Sequence, residues 1–391
     1  MGRIGIYGGA FNPPHIGHIR AAEHAVHALK LDKLLLIPSC TSPHKPLPAG
    51  SAEPRQRLEL TRVWAGEKME VCDFELSRGG TSYTYQTVEQ LKTCYPNDEL
   101  ILFMGTDMFL TFHTWREPER ILACVSLAVF YRGDKGEKAD IAEKQSEYEA
   151  KGHTVYLVEN PVTEISSTQL RRMLVFRCAA PFLDGKVASY IEENGLYGTA
   201  EDYRKLPMEK LEQVVIGLLN PNRVKHVLGC RDTAADLAKV WGADVTDAAR
   251  AGLLHDITKA LDGPLQLTLC IEYGKVLDEF SENNPKTLHA LTGSMVAERI
   301  FGENEAVVSA IESHTTGKPA MNTLEKIIYV ADYMEPNRDF PGVEELRRLA
   351  YTDLDGALKL GLERTLAMLR QQKRQISPAS SQALAYLTKG K

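Results

Sequence analysis

The feature that most constrains this chain is the point at which its strand signals stop. Up to residue 159, short apolar runs rich in β-branched residues alternate with longer amphipathic stretches. From about residue 200 the short runs cease and helical periodicity takes over almost throughout. The pattern predicts strands over Arg3–Tyr7, Lys33–Ser39, Met69–Glu75, Glu99–Met104, Ser126–Tyr131 and Thr154–Glu159. Between them it predicts helices over Ile19–Leu29, Glu53–Gly66, Tyr85–Thr93 and Asp140–Lys151, with a further helix at Val187–Asn194. Strands that alternate with helices pair in parallel, because a crossover must carry the chain back, and the resulting sheet has helices on both faces. A length of 391 residues exceeds what one core organises. The expectation is two domains, an α/β domain over 1–200 and an all-α domain over 205–391.

Composition narrows the partners. With 46 basic against 52 acidic residues and a formal charge of -6, the chain is no polycation, and nucleic acid is excluded as an expected partner. Seven cysteines, odd in number and without a C-x-x-C, fit the reducing cytoplasm with buried thiols. The chain enters its first strand at Arg3 with no room for a signal peptide, and no apolar run reaches bilayer length, so no membrane is expected either.

Between the first strand and the first helix lies Gly8-Gly9-Ala10-Phe11-Asn12-Pro13-Pro14-His15-Ile16-Gly17-His18. Glycines let a backbone approach an anion without a Cβ in the way, the prolines stiffen the turn, and free N–H groups at the helix start complete a phosphate site. His15 and His18, three apart, project to one side of a first helical turn. Taken alone, such a pair is as often one helix cap and one surface residue. Other candidates fall at strand ends, where parallel sheets bind ligands. Lys45 in Pro43-His44-Lys45 could aim an ammonium at phosphates. Gly105 and Asp107 follow a strand, Asp107 suiting ribose hydroxyls, and Trp115 offers a flat face to an aromatic ring or simply packs in the core. Thr81, Ser82 and Tyr83 precede a helix as a capping cluster. Ile165, Ser166, Ser167 and Thr168 crowd another helix start, with Arg171 one turn on, an arrangement that grips a polyphosphate.

The GGAFNPPHIGH segment resembles the signature of the nucleotidyltransferase α/β-phosphodiesterase superfamily, and with Ile-Ser-Ser-Thr-x-x-Arg, Pro-His-Lys and Gly-Thr-Asp it is similar to the bacterial nicotinate-nucleotide adenylyltransferases. Two departures stand out. Ala10 replaces the usual Ser or Thr, and Tyr85-Gln86 replaces the usual Ile-Asp. The resemblance implies a Rossmann-like nucleotidyltransferase domain. ATP with Mg²⁺ and nicotinate mononucleotide would be its substrates. His15, His18, Lys45 and Arg171 would be catalytic, and Gly8, Gly9, Phe11, Asn12, Thr81, Ser82, Tyr83, Gly105, Asp107, Trp115, Ile165, Ser166, Ser167 and Thr168 would contact substrate. A mononucleotide phosphate is mostly ionised at neutral pH, its second pKa being about 6, so the nucleophile needs alignment and charge compensation rather than a base.

In the second domain all four histidines, His226, His255, His289 and His314, lie in apolar or charged helical surroundings, and Asp256 follows His255 directly. A buried His-Asp pair is costly without a partner, and a metal is the natural one. The order His226, His255-Asp256, His289, His314, Asp332 resembles the HD-domain metal-dependent phosphohydrolases, and His314-Thr315-Thr316-Gly317 and Ala331-Asp332-Tyr333-Met334-Glu335-Pro336-Asn337-Arg338 look like the branch that cleaves diadenosine tetraphosphate to two ADP. That resemblance implies one ion on His226, His255, Asp256 and Asp332, with Asp256 bridging to a second ion on His289 and His314. Lys259 and Arg338 would grip phosphates. Imidazole and carboxylate ligation without thiolate suits iron, with manganese or cobalt as alternatives. Two other readings remain open: a first domain serving another acceptor such as pantetheine phosphate, and a second domain that senses a nucleotide and hydrolyses nothing.

Overall fold

The computed structural model describes residues 2–41, 47–131, 135–160 and 165–389. The chain divides into two compact units, Met1–Glu201 and Asp202–Lys391. Among the described residues no helix is long and apolar enough to cross a membrane.

In the first unit, β1 (Arg3–Gly9), β2 (Lys33–Pro38), β3 (Met69–Val71), β4 (Glu99–Gly105), β5 (Ser126–Tyr131) and β6 (Val155–Glu159) form a sheet in the order β3-β2-β1-β4-β5-β6. Every neighbouring pair is parallel. The helices are α1 (Ile16–Ala28), α2 (Pro54–Trp64), α3 (Phe74–Arg78), α4 (Thr84–Cys94), α5 (Thr106–Leu110), α6 (Pro118–Leu122), α7 (Lys135–Ala150), α8 (Ser167–Val175) and α9 (Gly185–Glu193). Register sets Ile6 of β1 opposite Leu35 on one side and Leu102 on the other, and all three are buried. In β2 the residues from Leu34 to Pro38 are all buried, as expected of a strand covered on both faces. The strand order runs outward in both directions from the β1/β4 pair. The loops leaving those two strands therefore part, and a crevice opens at their carboxyl ends.

One predicted strand is shorter than its sequence pattern. Met69–Glu75 stops at Val71, and Phe74 starts a helical turn. The reason is that β3 is an edge with only β2 beside it, paired at Leu34, Leu35 and Leu36. Beyond that contact Glu75 turns inward and accepts from Thr87 Oγ1 at 2.7 Å. In addition, α1 begins at Ile16, earlier than expected, which places His15 at its N-cap.

The second unit is mostly helical: α10 (Met208–Leu218), α11 (Val224–Trp241), α12 (Val245–Leu254), α13 (Gly263–Glu272), α14 (Glu279–Asn283), α15 (Leu288–Arg299), α16 (Glu305–Ser313), α17 (Thr323–Met334), α18 (Val343–Ala350), α19 (Leu354–Gln371) and α20 (Pro378–Lys389). On α11 the buried residues Val227, Cys230, Ala234 and Leu237 recur every three or four positions and form one apolar stripe. Leu253 and Leu254 of α12, Ile311 of α16 and Ile327, Ile328 and Ala331 of α17 are buried with them. Set into this apolar interior are His226, His255, Asp256, His289 and His314, all buried.

Candidate active sites

In the first unit the crevice holds two cavities. One, of about 490 Å³, is lined by His15, His18, Asp107, Asn160 and Ile165. The other, of about 400 Å³, is lined by Gly8, Gly9, Asn12, Ser82, Trp115 and Arg171, with Ser167 and Thr168 beside them. Tyr7, Gly105 and Met108 border both, so the cavities meet where β1 and β4 end. A Cβ added at Gly8 would meet, among the described residues, no atom within 4 Å beyond its own chain neighbours. A side chain there would project into the room left for a ligand.

At the N-cap of α1, the His15 backbone N–H donates to His18 Nδ1 at 3.2 Å. The two rings lie with centroids 3.7 Å apart, tilted by 34°. Burial pushes the His15 pKa down to about 4, and burial together with His15 holds His18 well below the usual imidazole range. At neutral pH both rings are uncharged hydrogen-bonding groups. Among the described residues His15 Nδ1 is buried with no partner, which suits an atom that meets a ligand oxygen.

Asn12 closes the crevice. Its Nδ2 donates to Ser51 Oγ at 2.7 Å, its Oδ1 accepts from Tyr197 Oη at 2.9 Å and from the Ala52 N–H at 3.3 Å, and its carbonyl accepts from Arg171 Nη1 at 2.6 Å. Ser167 Oγ donates to the Pro13 carbonyl at 3.0 Å. The hydroxyl-rich start of α8 is thereby docked on the Gly-rich turn, although the two are far apart in sequence. Beneath the turn lies fully buried Arg57, whose Nη1 donates to the carbonyls of Ala10 (2.9 Å) and Ser39 (2.6 Å) and whose Nη2 donates to that of Cys40 (3.1 Å). Neither Arg57 nor Tyr197 was among the sequence candidates. For Arg57 a signal existed, since it shares the buried stripe of α2 with Leu60, Thr61 and Trp64.

The remaining candidates divide. Ser82 is buried, accepts from the Cys40 N–H at 2.9 Å and faces the cavity, joined there by Thr84 and Thr87. Thr81 and Tyr83 line neither cavity: Thr81 forms a bridge with Thr41, and Arg116 lies over the Tyr83 ring at 4.6 Å. Phe11 is buried under the turn, edge-on to Tyr7 and Trp64, and Ser166 serves as the N-cap of α8. Trp115 packs on Phe112 with centroids 5.2 Å apart and also lines the cavity. Lys45 lies outside the described residues.

In the second unit six side chains from five segments converge. His226 stands near the start of α11, His289 at the start of α15 and Asp332 near the end of α17. His255 and Asp256 follow the last residue of α12, and His314 follows α16. The sequence pattern placed His255 and Asp256 within a helix. Adjacent helical residues diverge by about 100°, whereas the turn beyond Leu254 lets both face one point. His226 Nε2 lies 3.2 Å from His255 Nε2, 3.1 Å from Asp332 Oδ1 and 3.7 Å from Asp256 Oδ2. Asp256 Oδ1 faces the other way, 3.5 Å from His289 Nε2 and 3.8 Å from His314 Nε2.

Each imidazole is held from behind. Nδ1 contacts the carbonyl of Gly252 for His255 (2.7 Å), of Lys286 for His289 (2.9 Å) and of Ile311 for His314 (2.6 Å). With Nδ1 held there, the Nε2 atoms of these three rings turn toward Asp256, at 3.4 Å for His255, 3.5 Å for His289 and 3.8 Å for His314, an array of nitrogen and oxygen donors around a common point. Asp256 Oδ1 is buried and has no hydrogen-bond partner among the described residues. The donor set therefore fits divalent metal, and Asp256 presents one oxygen to each half of the cage. Burial would raise the pKa of Asp256, but facing His255, His289 and Lys259 hold it well below the usual carboxylate range.

Cationic residues edge the cage. Arg223 Nε donates to Asp256 Oδ2 at 2.6 Å and Arg338 Nη2 to Asp332 Oδ1 at 2.6 Å, and both side chains remain about one-third exposed. Lys259 Nζ lies 2.8 Å from His289 Nε2. Arg223 was not a sequence candidate.

These features define a nucleotidyltransferase domain followed by an HD-type hydrolase domain. The cytidylyltransferase-like family matches residues 6–173 and the HD domain family matches residues 223–337. The symmetrical bis(5'-nucleosyl)-tetraphosphatases of Halalkalibacterium halodurans and Bacillus subtilis are 42% and 37% identical, covering 43% and 44% of this chain and 90% and 92% of their own lengths. The "Probable nicotinate-nucleotide adenylyltransferase" of Dictyoglomus thermophilum is 33% identical over 50% of this chain and 99% of its own length. The chain belongs to both families, to the nicotinate-nucleotide adenylyltransferases through its first half and to the symmetrical bis(5'-nucleosyl)-tetraphosphatases through its second.

Two outcomes follow for the first unit. The folded pKa of His15, about 4, lies below the ordinary 6.5, so the unfolded chain binds more protons between those values. Stability present above pH 6.5 is lost as pH falls toward 4, by up to about 3 kcal/mol. Urea unfolding followed by hydrogen exchange in peptides from residues 1–201 is expected to show this loss, and His15→Asn to flatten it. Arg57→Met leaves three part-buried carbonyls without their donor, and the same measurement is expected to show a cost of about 1–3 kcal/mol.

Proposed function

We propose that the first unit transfers the adenylyl group of ATP to nicotinate mononucleotide, giving nicotinate adenine dinucleotide and pyrophosphate, and that the second hydrolyses diadenosine tetraphosphate to two ADP. Both reactions use small nucleotides. The seven free cysteines support a cytoplasmic setting for them.

The observation that carries the first activity is the docking of Arg171 and Ser167 against the turn that also presents His15 and His18. In this reading the mononucleotide phosphate attacks the α-phosphorus of Mg²⁺-bound ATP in line, and the protein supplies position and charge rather than a base. His15 and His18 donate hydrogen bonds to oxygens of the reacting phosphates. An approaching anion raises their pKa values and converts them from neutral donors to cations as negative charge builds. Arg171 holds the departing pyrophosphate from the other side, with Lys45 as its partner. Trp115 stacks on the pyridine ring, and Ser82 with Thr84 and Thr87 supplies hydroxyls beside it.

For the second activity the carrying observation is the two-sided Asp256, one oxygen toward His226 and His255, the other toward His289 and His314. His226, His255, Asp256 and Asp332 would hold one ion, and Asp256, His289 and His314 a second, with iron favoured over manganese or cobalt. Divalent cations there supply Lewis acidity toward water and phosphate oxygens. Arg223, Arg338 and Lys259 bring cationic ends to the cage rim, where a polyphosphate can exchange for the side chains they now touch.

Purified protein with ATP, nicotinate mononucleotide and Mg²⁺ is expected to release pyrophosphate, and His18→Ala to lower kcat by at least about 100-fold, a scale typical of losing one donor to developing charge. Nicotinate adenine dinucleotide appearing at the wild-type rate in that variant would overturn the assignment. Asp256→Ala is expected to abolish ADP release from diadenosine tetraphosphate while leaving adenylyl transfer within about twofold. Joint loss of both activities would contradict two independent centres.

A further inference from the structure

Among the four imidazoles of the second unit, His226 differs in what stands behind it. The other three rest Nδ1 on backbone carbonyls, whereas His226 Nδ1 meets the side-chain carboxylate of Glu335, with Oε1 at 3.1 Å. Glu335 is 1% exposed. Its second oxygen, Oε2, accepts from the Asn337 backbone N–H at 2.8 Å and from Asn337 Nδ2 at 2.7 Å. Asn337 in turn donates from Nδ2 to the Lys225 carbonyl at 3.1 Å, on the residue just before His226. The carboxylate is thus clamped on one oxygen and free to orient the imidazole with the other.

The space for this arrangement is set by Gly229, one helical turn beyond His226 on α11. A Cβ there would lie 2.3 Å from Glu335 Oε2 and 3.0 Å from Asn337 Nδ2. Any side chain at 229 displaces the carboxylate. Among the described residues, the Glu335 carboxylate hydrogen-bonds to one metal-ligand candidate, His226, and otherwise to Asn337.

We infer that Glu335 is a positioning residue, which fixes the ring and tautomer of His226 and makes its Nε2 a stronger donor to a divalent cation, within the space that Gly229 leaves. A carboxylate behind a histidine does more than a carbonyl, because its full negative charge adds electron density to the ring as a cation binds at the far nitrogen. The inference rests on the hydrolase reading for the identity of the centre and goes beyond it in assigning a role to Glu335, Asn337 and Gly229.

The test is a chelator-competition titration of the full chain with Mn²⁺ and with Co²⁺, reading affinity and the Co²⁺ absorption bands. Glu335→Ala is expected to weaken ion binding by about 10- to 100-fold, and Glu335→Gln, which keeps the acceptor but not the charge, by less. Gly229→Ala, which keeps both the ligand and the carboxylate in the chain but displaces the carboxylate, is expected to reproduce the Glu335→Ala loss and to shift the Co²⁺ bands. Hydrogen exchange in peptides from residues 202–389 of the same samples reports that the second unit is folded. Unchanged affinity in both Glu335→Ala and Gly229→Ala would overturn the assignment while leaving the hydrolase reading intact. A wild-type chain that holds neither ion would sink both.

Discussion

A buried polar atom must find a partner, and in this protein both centres are built around polar atoms whose partners come from distant parts of the chain. Asn12 draws Ser51, Ala52, Arg171 and Tyr197 onto one turn. Asp256 does the equivalent among the helices, where Arg223 and four imidazoles face its two oxygens. In each case the centre is a place where the fold has committed several segments to one side chain. Remaining capacity, such as His15 Nδ1 and Asp256 Oδ1, is what a ligand can use.

The two centres handle phosphate by different physics. The first is open, at the carboxyl edge of a parallel sheet, and relies on glycine backbone, neutral imidazoles and guanidinium groups that need no ion of their own. The second lies in an apolar helical interior, where imidazole and carboxylate donors crowd together in a set that fits a divalent cation. Their contrasting chemistry matches transfer of a group between two nucleotides in one case and attack by water in the other.

Much of this was legible in the sequence because period and spacing encode it. The strand and helix alternation gave the parallel sheet, and GGAFNPPHIGH with Ile-Ser-Ser-Thr-x-x-Arg located the crevice at once. The six cage residues stand out as polar letters in apolar stretches. What sequence could not supply was tertiary pairing. Arg57 reads as one more charged residue of a helix, Tyr197 as the end of a short motif, and Glu335 as an acid beside a proline, until the fold brings carbonyls, Asn12 and His226 to them. Thr81 and Tyr83 show the converse: a hydroxyl-rich run near the cavity in which one residue in three faces it, because its neighbours are occupied with Thr41 and Arg116.

The hydrogen bond from Tyr197 to Asn12 also bears on where the first unit ends. The match to the cytidylyltransferase-like family stops at residue 173, yet the phenol that satisfies Asn12 lies beyond it, after α9. A fragment ended at residue 173 would keep every sheet strand and both histidines but leave the buried amide oxygen of Asn12 with one weak donor. The turn at residues 195–198 therefore belongs to the architecture of the Gly-rich bend, and the end of this half is a keystone rather than a tether.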